Sequence, residues 1–157
     1  MRGQTAVEYL AVFSAALVVI AVATAARMID PARESGESAL VMAQAREAAD
    51  LIASAVDSVY ANGPGSADGV IIRMDAVWSL ILDNENSEVE IQISTSGGVK
   101  EFQASLRYPL NGQYTLPDLS SGVYVVVADW PPSSGGEGIE VVAENKIIQI
   151  HINPLEG

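Results

Sequence analysis

Residues 9–26 carry no charged side chain, and no other stretch restricts the chain's folding options as much. As α-helix, these 18 residues rise about 27 Å at about 1.5 Å each, close to the roughly 30 Å of hydrocarbon in a bilayer. The tract is mainly Ala, Val, Leu and Ile, with no Gly or Pro, so it is expected to be helical. Its small polar residues are Ser14 and Thr24, whose hydroxyls can bond the preceding turn.

Glu8 does not suit a plain anchor. It stands at the head of the tract, and an unpaired carboxylate at membrane depth is costly enough to need a partner. A free N-terminal amine close by would serve. Cleavage just before Gln4 would create one, with Glu8 four residues further on.

Arg2-Gly3 followed by Gln4, Thr5, Glu8, Tyr9 and Leu10 resembles the class III signal peptide of archaeal type IV pilin-like proteins. The likeness is specific over roughly residues 2–27. It extends weakly to Val59-Tyr-Ala-Asn-Gly-Pro-Gly65, a helix-ending stretch similar to those of archaeal pilins. The leader that the resemblance implies over residues 1–3 has one basic residue, Arg2. The resemblance implies that a prepilin peptidase cuts between Gly3 and Gln4. It implies that Gln4 and Glu8 set axial register, through a pairing of the freed amine with the Glu8 carboxylate. Tyr9, Leu10, Phe13, Leu17 and Ile20 would then pack in a bundled helical core. The implied partners are identical subunits in a helical homopolymer, the peptidase, a secretion ATPase and a membrane platform protein. The membrane would hold the chain before assembly, and the filament would stand on the cell surface as an adhesion pilus. The pattern favours pilin over archaellin. Two other readings stay open: a single-span anchored extracellular binding domain that does not polymerise, and a secretory signal cut at Ala23-Thr-Ala25 or Thr24-Ala-Ala26. Glu8 has no purpose in a secretory signal.

A length of 157 residues suits one domain and a long helix. The net charge of −12 argues against a nucleic-acid partner, which needs clustered Lys and Arg. Without cysteine there is no disulfide framework, thiol nucleophile or Cys-bound metal. No cofactor is implied. No Asn-x-Ser/Thr sequon occurs.

A polar stretch, residues 27–38, follows the tract. Pro31 predicts a kink near residues 28–36, with Asp30 capping a restarted helix. Leu40, Ala43, Glu47, Ala48, Leu51, Ile52, Ala55, Val56 and Val59 recur three and four apart, and apart from Glu47 they form one apolar stripe that should cover a sheet. Asn62-Gly-Pro-Gly65 ends the helix. From Gly69 the period becomes two. Strands are expected at 70–74, 76–82, 88–93, 99–108, 122–128, 139–143 and 146–152. The strands at 88–93 and 99–108 form a hairpin, and so do the last two. The 122–128 run, almost all Val and Tyr, should be buried on both faces. The expected fold class is therefore α+β: a long N-terminal hydrophobic α-helix over 4–62, then an antiparallel β-sandwich or barrel-like domain over 69–157.

Chemistry-bearing motifs are sparse. His151 is the sole histidine and reads as a surface strand residue; a catalytic dyad would need a carboxylate or Ser brought to it by the fold. Asp83-Asn-Glu-Asn-Ser87 is rich in oxygen ligands but lacks the EF-hand's Gly and closing Glu, so a turn explains it. The Ser-Gly-Gly runs at 96–98 and 134–136 lack the Lys and helix of a phosphate loop. Tyr108-Pro109 and Trp130-Pro-Pro132 place aromatics beside prolines, where they pack over a sheet end or form a small adhesive patch. No nucleophile, metal or nucleotide motif is recognisable, and a non-enzymatic protein is expected.

Overall fold

The computed structural model describes the backbone of residues 2–95, 98–110, 112–131 and 138–153. It describes the side chains of residues 13–24, 38–95, 98–110, 112–131 and 141–152. The chain divides into two compact units, Met1–Ala39 and Leu40–Gly157. Helix α1 (Arg2–Asn62) contributes to both. The joint expected near residues 28–36 lies outside the residues whose side chains are described.

The expected fold class is overturned. Among the residues whose side chains are described, about 47% are strand, in two sheets, and there is no long apolar helix. Helix with described side chains is confined to residues 13–24 and 38–62. Among the described residues no helix is long and apolar enough to cross a membrane. The physical reason lies in the sequence beyond the tract: residues 27–38 are polar, so apolarity does not persist along α1.

In the second unit eight strands are described: β1 (Ala67–Met74), β2 (Trp78–Asp83), β3 (Glu88–Thr95), β4 (Gly98–Ser105), β5 (Tyr114–Leu119), β6 (Gly122–Asp129), β7 (Gly138–Glu144) and β8 (Ile147–Asn153). They form two sheets ordered β1-β6-β8-β7 and β4-β3-β2-β5. The first sheet is mixed rather than antiparallel. β8 runs parallel to β6, from Val125 beside Ile147 to Asp129 beside His151. The β7–β8 hairpin docks through its second strand, which puts β7 at the sheet edge. A hairpin entering a sheet by its far strand sets that strand's direction by the crossover, and periodicity carries no record of it.

The two sheets face one core. Met74, Trp78, Leu80, Leu82, Ile91, Ile93, Ile148, Ile150 and Ile152 are its large buried side chains. β5 and β7 approach each other on one side. On the other side α1 lies between the β1 and β4 edges: Gln44 bonds Asp75 just after β1, and Asp57 bonds Arg107 just after β4. Its buried face is Ala45, Ala48, Ala49, Ile52, Ala53, Ala55, Val56 and Val59. The expected stripe is thus rotated, leaving Leu40 54% exposed and Ala43 exposed. The alanines on the buried face let the helix backbone come close to both sheets and lose no side-chain rotamer freedom.

Two strand expectations are corrected. β6 is central in its sheet but buried on one face only, with Tyr124, Val126 and Ala128 inward while Val123 and Val125 are 53% and 38% exposed. A sandwich has a single interior, and no described element covers the outer face of this sheet. β5 is not among the expected strands, and it contains Pro117, a residue that disfavours a central strand. It is an edge strand, where a missing N–H is tolerated. It also carries a bulge: Trp78 pairs with Leu119 and Leu80 with Leu116, giving β5 one extra residue. Asp118 (φ 53°) absorbs the bend, and its N–H donates to Ser79 Oγ at 3.2 Å.

Candidate functional site

Three regions of the surface have features that the core does not explain. The first is residues 13–24. Phe13, Leu17 and Ile20, expected to pack in a shared core, are 67%, 52% and 61% exposed, and Val18, Val19 and Val22 are exposed with them. Thr24 Oγ1 donates to the Ile20 carbonyl at 2.8 Å, which satisfies its hydroxyl within the helix. Gly3, Gln4, Glu8, Tyr9 and Leu10 lie outside the residues whose side chains are described.

The second is the outer face of the β1-β6-β8-β7 sheet. Ile71, Val125 and Ile147 stand side by side across three strands, with Val123 one step along β6. All four are exposed, Ile71 at 70%. The alternation of β1 and β6 could have placed these residues outward, but the Val-rich β6 reads as buried on both sides.

The third is the end of the second unit where α1 stops. Gly63 adopts φ +79°, and its N–H donates to the Val59 carbonyl at 3.0 Å. Ser66 Oγ donates to the same carbonyl at 2.9 Å. With the helix stopped there, Tyr60 meets both aromatic–proline loops. Its ring stacks on Tyr108 at 5.3 Å and 11°, and meets Trp130 edge-on at 5.8 Å and 61°. Its hydroxyl donates to the Pro109 carbonyl at 3.0 Å. Burial raises the pKa of that hydroxyl above its ordinary value. Beside this cluster runs an open groove of about 450 Å³ between α1 and the end of β4. Asp50, Ser54, Asp57, Ser105, Arg107 and Tyr108 supply its polar and aromatic lining. The backbone N–H of Arg107 donates to Asp57 Oδ1 at 2.9 Å, which fixes one wall against the other.

His151 meets a carboxylate, as a dyad would need: Nδ1 lies 2.6 Å from Asp129 Oδ1. The two are neighbours in the parallel β6–β8 pairing. No hydroxyl completes the arrangement among the described hydrogen bonds of His151. The Asp83 loop is a β2–β3 turn. Asp83 Oδ1 accepts from the Glu85 N–H at 2.8 Å, and Oδ2 accepts from Asn86 Nδ2 at 2.8 Å. Those bonds hold its carboxyl below the usual range, the Asn86 side chain foremost. Among the described residues no group of three His, Cys, Asp or Glu side chains is placed to hold a metal.

No family model, curated protein or solved structure matches this chain.

Proposed function

We propose that the chain is a structural subunit of a helical filament, assembled through its exposed N-terminal helical segment, with the acidic β unit facing water. The observation that carries this reading is the exposure of Phe13, Leu17, Val18, Val19, Ile20 and Val22 on a helical segment without charged residues. Contiguous apolar surface of this kind marks an interaction site rather than a solvated face. Copies of a chain with net charge −12 repel one another, so association has to run through an uncharged surface of this type. Burial against like helices removes the apolar area from water at about 25 cal/mol per Å², and the small residues Ala15, Ala16, Ala21 and Ala23 permit close approach.

The Gln4…Glu8-Tyr9-Leu10 pattern adds the archaeal pilin-like context: processing between Gly3 and Gln4, an ATPase-driven assembly machine, a place on the cell surface and a role in adhesion. The alternative, a single-span anchored binding domain that does not polymerise, predicts a chain that stays in the membrane and forms no filament.

Intact mass and N-terminal sequencing of material sheared from cells, with negative-stain imaging, test the reading. The expected result is thin filaments whose subunit begins at Gln4. A chain beginning at Met1 and confined to membranes would overturn it. A second test is Leu17→Glu, which should abolish filaments while leaving the thermal unfolding of the β unit unchanged.

A further inference from the structure

The groove between α1 and the end of β4 is lined by both polar and aromatic side chains. Its floor is made of small side chains, Ala53 and Ala104, and its rim carries hydroxyls and two carboxylates. At one end stands Tyr108, 38% exposed. Tyr60 backs that ring at 5.3 Å, and Tyr60 is itself held by its bond to the Pro109 carbonyl. The platform is therefore set before any ligand arrives, and binding would lose little side-chain entropy there. The volume of about 450 Å³ falls in the range of about 300–1,000 Å³ typical of small-molecule sites.

We propose that this groove binds an uncharged sugar, with the pyranose C–H face laid on Tyr108. An aromatic face attracts C–H groups and is indifferent to the ring's other side. The hydroxyls of that other side then find acceptors in the Asp50 and Asp57 carboxylates, donors in the Arg107 guanidinium, and both in Ser54 and Ser105. Two carboxylates to one guanidinium, on a chain of net charge −12, exclude phosphorylated and acidic sugars. The neutral class remains: hexoses and N-acetylated hexosamines. An adhesive role in the filament would use this site, but the site lies wholly within Leu40–Gly157 and its chemistry needs no polymer.

The test is saturation-transfer NMR on the full chain, kept in mild detergent, with maltotriose, cellotriose and chitotriose as probes. At least one should bind with a dissociation constant at or below about 1 mM. Tyr108→Ala should weaken that probe by about tenfold or more, the scale set by loss of an aromatic anchor. Tyr108→Phe should restore it, since the ring and not the hydroxyl makes the platform. Asp50→Asn, at an exposed position that leaves the fold alone, should weaken binding several-fold. Thermal unfolding of each variant separates lost binding from lost folding. Failure of all three probes overturns the proposal, and so does a probe that binds Tyr108→Ala as well as the unaltered chain. Neither result bears on filament formation, which is read by imaging.

Discussion

Asp75 sits just past β1, opposite α1. Its Oδ2 accepts from Gln44 Nε2 at 2.8 Å, its Oδ1 from Arg73 Nε at 3.0 Å, and its own N–H donates to Gln44 Oε1 at 3.1 Å. The Gln44 bond, then the Arg73 bond, holds the carboxyl below the usual aspartate range. A depressed folded pKa means the contribution to stability is full above the unfolded value and is lost as pH falls through the folded one. Asp75→Asn should therefore lower stability at neutral pH and leave it nearly unchanged at low pH, which flattens the acid limb of the profile. Urea unfolding at a series of pH values from about 5 downwards measures it. Glu88 works in the opposite sense. Desolvation, with Asp83 and Glu90 nearby, raises its pKa, so its favourable share is present at low pH and lost as pH rises through the folded value. A residue of another kind is Trp78, whose Nε1–H is buried with no partner among the described residues. The Tyr124 ring lies against it edge to face, at 5.3 Å and 85°. Trp78 is among the largest buried side chains and fills space between the sheets.

At the scale of elements, α1 is held to the sheets by its small-residue face and stopped by one glycine. Gly63 has φ +79° and open space where a Cβ would stand. Gly63→Ala should therefore destabilise through backbone conformation alone, by about 1–2 kcal/mol, read from chemical denaturation. Ile52 is fully buried in the same helix; Ile52→Ala should cost about 2–5 kcal/mol. The contrast separates a turn's conformational demand from a packing demand. β5 makes the same point about strands. Pro117 and a bulge are acceptable at an edge where only β2 has to be satisfied.

At the scale of the molecule, the second unit has one interior and two kinds of exterior. Ile71, Val123, Val125 and Ile147 form an apolar outer face that the fold itself does not use. Ile71→Lys with Val125→Lys should leave the midpoint of thermal unfolding nearly unchanged, each within about 0.5 kcal/mol, as expected of exposed sites. Differential scanning calorimetry checks this, and a large loss of stability would mean that the face is covered within the chain.

Local pattern determined a good deal on its own. The β3–β4 hairpin, the β7–β8 hairpin, the end of α1 and the uncharged segment around Phe13 were all legible, because each rests on periodicity, turn chemistry or composition within a few residues. The aromatic loops at Tyr108 and Trp130 were also visible as candidates. Only the tertiary structure decided that they converge on Tyr60, that a polar groove opens beside them, and that Asp129 meets His151. It alone decided that β8 runs parallel to β6, that β6 has a solvent face, and which edge of α1 is buried. Each of these depends on what lies across from a residue rather than beside it in sequence. Strand order and crossover direction are chosen by the burial of the whole set of side chains at once, and no local stretch carries that information.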